Sequence, residues 1–579
     1  MVVTNLEKKI LELQKTCAVY EPQEFSTFIA GVILQIGTRN TNPFFKNLMS
    51  PMRQLFYLAY LNLQFNTGEG KVGFSEAEWN QMTALLHEIE MEYFYLLGYP
   101  KDGGETREEI QKISVTMPTF MNYYFNGPMA YEEQEIERIE TMFKTFEDEL
   151  VQDCQLRPSD FLDFYKRLNV IINQNLNTAL KFLDPKKWQA FTKECIEKGI
   201  TNPKDWINEA KEEIYGSANL MKNPGSFLII DPSTLELTSF EQTKWTKIVP
   251  MFTFGAIPPS DLIYYTDDNR LMSQPFVSLA EGRFLPFCLK QFVHASYHFL
   301  FDKCSTLDQQ RLLKSRDEYV ERKAQEIFRK LFPRNAVFYT NYSIDEGQSE
   351  QDILILFKKV AIVIEVKASN YRAPMRDALK AFEKLKSDFK KCVQYGYEQA
   401  ARVVKAFSDQ RKVKIIDSKR RLLYELNSDG YQVFSVVVTY ERYGQIQTNL
   451  ADMLELDDDA RYPWCVCLDD LEAFILTLAK RSDRVHAFLR FLKHREDFHG
   501  HLLCSDELEL CGLFLEDSAH FVRLSQRQET VLTEPHLTRP IEESYRKGMG
   551  FKHERFLKEK RSGKIAFLYS SNEERQAKR

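Results

Sequence analysis

The sequence predicts a multidomain protein in which an all-α N-terminal half precedes an α/β core with a mixed sheet and a mixed α/β C-terminal tail. Three observations lead to this fold class. The chain has 579 residues, which is too long for one hydrophobic core. Apolar residues recur at helical spacing through roughly the first 245 residues. Two short runs rich in β-branched residues, Asp352–Phe357 and Val360–Val366, then lie between helical segments.

We divide the chain into four parts on this basis. Residues 1–245 form a helical domain, which we assign to regulation or to partner binding, and residues 246–304 connect it to the core. Residues 305–500 form the α/β core, and residues 501–579 form a C-terminal extension. The helical domain has no repeat of fixed period and no chemically distinctive motif, so its role stays open.

Helix-start patterns support the helical interpretation of the N-terminal part. Thr4 and Glu7 form a capping-box pattern, and Ser75 and Glu78 form another. The segment Pro51–Phe65 is apolar nearly all around, which predicts a buried helix. Helical spacing continues through the rest of this part, so we expect it to be almost entirely helical.

The composition argues against several classes of protein. The net charge of −6 argues against a uniformly basic surface, so any nucleic-acid binding must be local. The 10 cysteines show no disulfide-like spacing, which predicts a reduced, cytoplasmic protein. The first residues lack the apolar core of a signal peptide, and no run approaches the length of about 18 apolar residues that a membrane span needs. We therefore expect no membrane association.

The core follows the order helix, strand, strand, strand, helix, strand, with the two β-branched runs as its second and third strands. Its other elements are the helix Leu307–Phe332, the strand Ala336–Tyr342, the helical segment Pro374–Phe407 and the strands Tyr431–Tyr440 and Trp464–Leu468. This order predicts a mixed sheet with helices packed on it.

The two β-branched runs predict a hairpin that brings charged side chains together at one end. If Lys358 and Lys359 form a two-residue turn, paired positions sum to 717, and Asp352 lies opposite Glu365. Side chains alternate along a strand, so Lys367 shares a face with Glu365. Because two lysines are not a favoured turn pair, a longer loop and a shifted register remain open.

Two carboxylates and an ammonium at a strand end have a specific chemistry. The carboxylates supply hard oxygen ligands for Mg²⁺ and leave coordination sites for water and phosphate. The metal ion can polarise a phosphoryl oxygen and generate hydroxide near neutral pH, and a nearby lysine can stabilise the developing charge. The alternative is a plain buried hairpin with polar ends. We disfavour it because carboxylates rarely cluster on strands without a partner.

The element order and these residues resemble the PD-(D/E)xK nuclease superfamily, which has the restriction-endonuclease-like fold. The resemblance covers about a quarter of the chain, from Leu307 to Tyr440. It implies that Asp352 and Glu365, together with Val366, bind a divalent metal ion, Mg²⁺ or alternatively Mn²⁺. It also implies that Lys367 acts in catalysis. The proline that precedes the family's Asp is missing, since Gln351 stands there, but this departure leaves the metal site intact.

The resemblance adds a glutamate on the first helix and a glutamine on the following helix. Glu321 adjoins the apolar stripe of the first helix, whereas Glu318 lies a turn earlier. On the second helix Gln399 falls at the border of the apolar stripe, whereas Gln394 points nearly opposite. We therefore expect Glu321 and Gln399 to face the carboxylates.

A concentrated basic segment follows the hairpin. Residues 371–424 contain 15 Lys and Arg against 6 Asp and Glu, a local net charge of +9. This charge fits binding to a phosphate backbone, and a solvated helix face is the alternative. The candidate nucleic-acid-binding residues are Arg372, Arg376, Lys380, Lys391 and Arg402.

The sequence therefore favours a metal-dependent nuclease that acts on nucleic acid, DNA in preference to RNA. The hairpin and the Gln-bearing helix are similar to nuclease-related domains of bacterial proteins, some from antiphage or mobile-element contexts. This similarity implies a role in bacterial defence or mobile-element biology. The alternative is a non-catalytic protein that keeps the fold to bind nucleic acid or another protein. The intact Asp, Glu and Lys set favours the enzyme, and the helical domain would bind a partner or a second copy of the chain.

A group of potential zinc ligands lies around the start of the C-terminal extension. They are His494, His499, His501, Cys504 and Cys511. Their spacing fits no standard zinc site, so we expect solvated histidines and buried cysteines instead.

Overall fold

The computed structural model of the chain describes residues 4–38, 42–66, 70–73, 75–98, 106–125, 130–180, 185–201, 203–256, 262–344, 350–369, 372–375, 378–458 and 460–554. These residues belong to two compact units. The first unit contains the described residues of 1–96 and 124–309, and the second contains those of 97–123 and 310–554. Within the described residues, no helix combines the length and the apolar character that crossing a bilayer requires.

Helices dominate the chain before the large sheet, as the sequence predicts. In chain order these elements are α1 Asn5–Ala18, α2 Pro22–Ile33, α3 Pro51–Phe65, α4 Glu76–Gly98, α5 Arg107–Phe125, α6 Glu132–Met142, α7 Glu147–Cys154, α8 Pro158–Leu180, α9 Pro185–Glu197, α10 Glu212–Lys222, α11 Ser239–Phe252, α12 Arg270–Ser273, β1 Phe276–Ser278, β2 Phe284–Pro286 and α13 Leu289–Leu331. The strands β1 and β2 form a small antiparallel sheet.

The predicted helix starts are confirmed. The Thr4 hydroxyl accepts a hydrogen bond from the Glu7 backbone, and the Glu7 carboxylate accepts one from the Thr4 backbone. The Ser75 hydroxyl and the Glu78 carboxylate make the same reciprocal pair. Most of α3 is buried, as its apolar surface predicts.

Helix α13 includes the predicted helix Leu307–Phe332 and a preceding helical part, and the backbone is interrupted between the two. Its one departure from helical backbone is Asp308, with φ of −159° and ψ of 93°. The division between the two units falls next to this residue, after Gln309. The part of α13 that follows belongs to the second unit and packs an apolar stripe, including Val320, Ala324 and Ile327, into the interior.

The second unit is built on a seven-stranded mixed sheet in the order β7-β6-β3-β4-β5-β8-β9. The elements from this sheet to the C-terminal end are β3 Val337–Ile344, β4 Gln351–Phe357, β5 Val360–Lys367, α14 Ala378–Phe389, α15 Tyr395–Asp409, β6 Lys412–Asp417, β7 Leu422–Asn427, β8 Gln432–Thr439, α16 Gln445–Thr448, β9 Trp464–Cys467, α17 Leu468–Leu478, α18 Arg484–Arg495, β10 Leu502–Leu503, α19 Glu507–Glu516, α20 Ser518–Ser525, β11 Val531–Leu532 and α21 Arg539–Lys547.

Strands β5, β8 and β9 run parallel, and the other neighbouring pairs run antiparallel. The carboxyl ends of the three parallel strands therefore meet at one edge of the sheet. Ligands of open α/β sheets bind at such an edge.

Helix α15 covers one face of this sheet. Ala400 and Val403 of α15 share a hydrophobic cluster with Ala361 and Val363 of β5 and with Leu354 of β4. Alternation along the strands places Asp352, Glu365 and Lys367 on the same face as these apolar residues. Because this face is buried, the side chains of the charged residues at its end are oriented to the same side as the apolar residues.

Two features of the second unit have no counterpart in the sequence analysis. Residues 97–123, which hold most of α5, belong to this unit, and Val115 packs in a cluster with Leu385 and Phe389 of α14. A hairpin of β6 and β7 extends the sheet next to β3.

Candidate active site

The hairpin has the register that the sequence predicts. Ile353 pairs with Ile364, and Phe357 pairs with Val360, so each pair sums to 717. The two-residue turn forms because Lys358 adopts φ of 54°, a left-handed conformation that residues other than glycine rarely take. This register places Asp352 at the position opposite Glu365.

The ammonium of Lys367 contacts three oxygen atoms of the site. The Nζ atom of Lys367 donates to Oε2 of Glu365 at 3.0 Å and to Oδ2 of Asp352 at 3.3 Å. It also contacts the carbonyl oxygen of Val366 at 3.3 Å. The predicted convergence of the two carboxylates and the lysine is therefore confirmed, and their oxygens lie no farther apart than the sum of those contacts.

The backbone of β5 fixes the orientation of Asp352. The Val366 backbone N–H donates to Oδ2 of Asp352 at 2.6 Å. The carboxylate is thus held by a backbone donor and by Lys367, while 19% of the side-chain surface stays accessible to solvent. Glu365 is fully buried, and its Oε1 accepts no hydrogen bond from the described residues. A ligand can therefore reach the pair from the Asp352 side.

Burial and mutual charge shift the protonation of these groups. Desolvation and the neighbouring Asp352 carboxylate raise the pKa of Glu365 to about 8, although Lys367 opposes the shift. Desolvation opposes the charge of Lys367, but the two carboxylates outweigh it and raise the pKa of this ammonium. In the absence of a metal ion, a proton on Glu365 and the ammonium of Lys367 together offset the repulsion between the two carboxyl groups.

Glu321, rather than Glu318, approaches the site from α13. Desolvation, followed by the charge of Asp352, raises the pKa of Glu321 to about 7, and Lys367 lowers it. Glu318 is exposed and pairs with Lys314 at 3.8 Å. The charges that shift its pKa are consistent with the predicted side of the first helix, and the role of Glu321 in the site stays a prediction.

Helix α15 contacts Lys367 through the turn at its start. A π-helical segment, Lys390–Gln394, joins α14 to α15. The phenol ring of Tyr395 lies 5.8 Å from Nζ of Lys367. A Cβ atom added at Gly396 would lie 3.4 Å from Cγ of Lys367 and 2.9 Å from Val437 of β8, so glycine allows the helix to approach the strands this closely. π-Helical turns are frequent at functional sites.

Gln399 lies one turn beyond Tyr395 and Gly396, on the buried side of α15. The helix contacts Lys367 at Gly396 and the Val363 cluster at Ala400, so Gln399 falls at the level of Glu365. Its Oε1 is buried and accepts no hydrogen bond from the described residues.

Gln394 has a structural partner elsewhere. Its Oε1 accepts from the Glu455 backbone N–H at 2.9 Å, and its Nε2 donates to the Glu455 carbonyl at 3.0 Å. Gln394 is nevertheless buried, because the segment around Glu455 covers that side of the helix. The π-helical turn also widens the buried face beyond the stripe that a regular helix predicts.

Tyr342 of β3 joins the site without a signal in the sequence analysis. It is fully buried, and its hydroxyl makes no hydrogen bond with the described residues. Desolvation first, and then the charges of Glu365 and Asp352, raise its pKa well above the usual value for tyrosine. Tyr342 packs in the cluster with Leu354 and Val363, on the same face as Asp352. Its pairing with Gln351 alone would predict the opposite face, but the left-handed backbone of Asn341, with φ of 50°, interrupts the alternation just before it.

The candidate nucleic-acid-binding residues have different surroundings. Arg372 makes a paired contact with Asp388, with Nε at 2.9 Å from Oδ1, so much of its charge is already neutralised. Lys380, Lys391 and Arg402 are exposed, as a backbone-binding role requires. Arg376 lies outside the described residues.

The C-terminal histidines and cysteines form no metal site among the described residues, in which no group of three or more His, Cys, Asp and Glu side chains is arranged around an ion. Cys504 and Cys511 are buried, as expected. His499 differs from the expectation, because its Nδ1 accepts a hydrogen bond from the Leu450 backbone N–H at 3.0 Å.

The oxygens around Lys367 fit a hard divalent cation. The three residues assigned to metal binding, Asp352, Glu365 and Val366, are the ones whose oxygens contact this single ammonium. A metal ion that took the same donors would have to displace this ammonium. The buried, unpaired oxygen of Glu365 supplies a further donor.

Comparisons with protein-family models, with curated proteins and with solved structures find no match to this chain.

Proposed function

We propose that the chain is a Mg²⁺-dependent nuclease that hydrolyses phosphodiester bonds of nucleic acid at the end of the β4–β5 hairpin. The observation that supports this most strongly is the convergence of oxygens from Asp352, Glu365 and Val366 on the Lys367 ammonium. These are the oxygen ligands that Mg²⁺ takes in proteins, and Mn²⁺ would use the same set. The PD-(D/E)xK resemblance of the sequence assigns the same residues.

The roles of the residues follow from their positions. When bound, the metal ion would polarise a phosphoryl oxygen and acidify a bound water molecule. Asp352 and Glu365 hold the ion, and Lys367, released from its bridging position, places its charge where phosphoryl charge builds up. Glu321, with a pKa of about 7, can take up a proton close to neutral pH. Gln399 lies at the level of Glu365, where its amide can orient water.

The substrate class rests on charge as well as on the site. Residues 371–424 carry a net charge of +9 within a chain of net charge −6. Exposed Lys391 and Arg402 belong to this basic segment and can displace counterions from a phosphate backbone. The family resemblance extends the proposal to DNA in preference to RNA, to a place in bacterial defence or mobile-element biology, and to a cytoplasmic location. The helical N-terminal unit would bind a protein partner or a second copy of the chain.

A second candidate function is non-catalytic binding of nucleic acid or of a protein. One observation favours it: Lys367 contacts both carboxyl groups, so the trio is held together without any metal ion. The two candidates differ in whether divalent metal displaces that ammonium and starts hydrolysis.

The test is a substrate panel with the purified full chain. Supercoiled plasmid, linear duplex DNA, single-stranded DNA and RNA are each incubated with Mg²⁺, Mn²⁺ or EDTA. The nuclease proposal expects metal-dependent loss of at least one substrate, with DNA preferred, and no loss in EDTA. If every substrate survives in every metal while the chain still shifts nucleic acid in a gel, the binding function replaces it.

A further inference from the structure

A carboxylate and two histidines form a linked group in the first unit that the proposed nuclease does not use. His294 and His298 lie one turn apart on α13, and Glu135 lies on α6. Nδ1 of His294 is 3.1 Å from Oε1 of Glu135, and Nε2 of His294 is 3.1 Å from Nε2 of His298. The two imidazole rings are nearly perpendicular, at 78°.

The separation of the two Nε2 atoms is the one that a shared metal ion imposes. Two Zn–N bonds of about 2.05 Å that enclose an angle of about 100° hold their nitrogens about 3.1 Å apart. The observed distance has this value. Histidines at positions i and i+4 of a helix reach it without rearrangement, because their side chains lie over the same face.

Glu135 prepares His294 for this role. The Glu135 side chain is 3% exposed, and its Oε2 accepts no hydrogen bond from the described residues. When Nδ1–H of His294 donates to Glu135, the lone pair of that ring is left on Nε2 and faces His298. A carboxylate behind a histidine is the usual support of a metal-binding imidazole, since it fixes the tautomer and the orientation of the ring. A cation on Nε2 would also offset the charge of a buried carboxylate that has one partner.

We propose that His294 and His298 form an open site for a borderline divalent transition-metal ion such as zinc, with Glu135 as the positioning residue. Imidazole nitrogens suit this class of ion better than Mg²⁺. Among the described residues no third His, Cys, Asp or Glu side chain completes a group around an ion, so water or an added ligand fills the other positions. His298 is exposed, and the ion reaches the pair from solvent.

The test separates this site from the candidate nuclease site. Untagged full-length protein carrying Asp352→Ala is stripped with a chelator and titrated with Zn²⁺ against a chromogenic indicator. We expect one zinc ion per chain, its loss in Asp352→Ala/His298→Ala, and binding about tenfold weaker with Glu135→Gln. His87→Ala, which removes an exposed histidine from α4 of the same unit, serves as the control and should bind as the Asp352→Ala parent does.

A second measurement does not depend on stoichiometry. Because zinc binds only the folded pair, it should raise the melting temperature of the Asp352→Ala protein and leave that of the His298→Ala double variant unchanged. The proposal is overturned if the Asp352→Ala chain binds no zinc, or if it binds zinc equally with and without His298. In either case the two rings share only a hydrogen bond. Neither outcome bears on the nuclease proposal, because Asp352 is absent throughout.

Discussion

Lys367 and Glu365, two residues apart on one strand, form an ion pair of 3.0 Å at the point where the sheet meets α15. The carboxylate is completely buried and the ammonium is nearly so. Burial alone would neutralise Glu365, and the lysine keeps part of its charge available. A divalent cation bound beside Asp352 and Glu365 would lower the pKa of Glu365 again and favour its ionised form.

The first prediction concerns the pH dependence of stability without metal. The pKa of Glu365 is raised to about 8, so between pH 4.5 and 8 the folded chain holds a proton that the unfolded chain has released. Stability therefore falls as pH rises through this window. Asp352→Asn removes the charge that is the second cause of the shift. For each unit by which the pKa of Glu365 drops in this variant, the decrease in the free energy of unfolding between pH 5 and pH 8.5 should become smaller by about 1.4 kcal/mol.

Thermal unfolding in EDTA at both pH values measures this difference. Asp352→Asn keeps an acceptor for the Val366 backbone N–H, so the hairpin end is preserved. An unchanged pH dependence in this variant would show that the carboxylates are not coupled.

The second prediction separates two glutamates on one helix. Glu321→Gln removes a carboxyl whose pKa is raised to about 7 and which senses the charge of Asp352. Turnover should fall about tenfold to a hundredfold, as when a residue that supports metal ligands is lost. Stability at pH 8 should rise, because an ionised, partly buried carboxylate is replaced by a neutral amide.

Glu318→Gln is the matched control, since Glu318 is exposed one turn earlier. It should leave turnover and the pH 8 melting temperature as they are. Equal effects of the two substitutions on turnover would refute the assignment of Glu321.

The third prediction contrasts two glutamines. Gln394→Ala loses two hydrogen bonds to the Glu455 backbone and should destabilise the second unit by about 1–3 kcal/mol. Gln399→Met keeps the side-chain volume and removes an oxygen that has no hydrogen bond among the described residues, so stability should change by less than about 1 kcal/mol. Turnover, measured on folded protein, should fall for Gln399→Met and hold for Gln394→Ala. The reverse pattern would assign the site to Gln394.

The fourth prediction tests Tyr342. Tyr342→Phe deletes a buried hydroxyl without a hydrogen bond among the described residues, so the fold should be as stable or slightly more stable. The charges of Glu365 and Asp352 act on this hydroxyl, and we propose that it orients water bound beside them, so turnover should fall while nucleic-acid binding holds. Gel-shift affinity and cleavage rate distinguish these effects. Unchanged turnover would make Tyr342 a packing residue.

The hairpin register was predictable from the sequence because a two-residue turn at Lys358 and Lys359 sets the sum of paired positions at 717. Burial would not have selected this register, since both strands are buried on both faces. Helical spacing places Glu321 next to the buried stripe of its helix. Local periodicity therefore predicted the parts of the site that lie on regular elements.

The features that the sequence analysis missed depend on contacts between residues far apart in the chain, or on irregular backbone, and local sequence patterns do not predict these. The π-helical turn Lys390–Gln394 shifts the helical phase, and apolar spacing does not reveal one extra residue in a turn. Gln394 is buried by Glu455, which is far away in sequence. Tyr342 lies on the face of the carboxylates because the left-handed backbone of Asn341 interrupts the alternation of β3. The β6–β7 hairpin lies in a segment rich in Lys and Arg, in which the alternation of apolar residues is weak.

Lys367→Ala tests the central claim most directly, with cleavage, binding and melting measured on the same preparation. Lys367 lies next to the basic segment 371–424 and is not part of it, so affinity for nucleic acid should hold nearly constant. The chain should stay folded, but its melting temperature should fall, because the ammonium contacts both carboxyl groups of the site. Its contribution is realised in the transition state, so Mg²⁺-dependent cleavage should fall at least about a hundredfold. Lys330→Ala, which removes an exposed ammonium from α13, should cleave like the parent. If Lys367→Ala also cleaves like the parent, the site at the hairpin end is not the catalytic one.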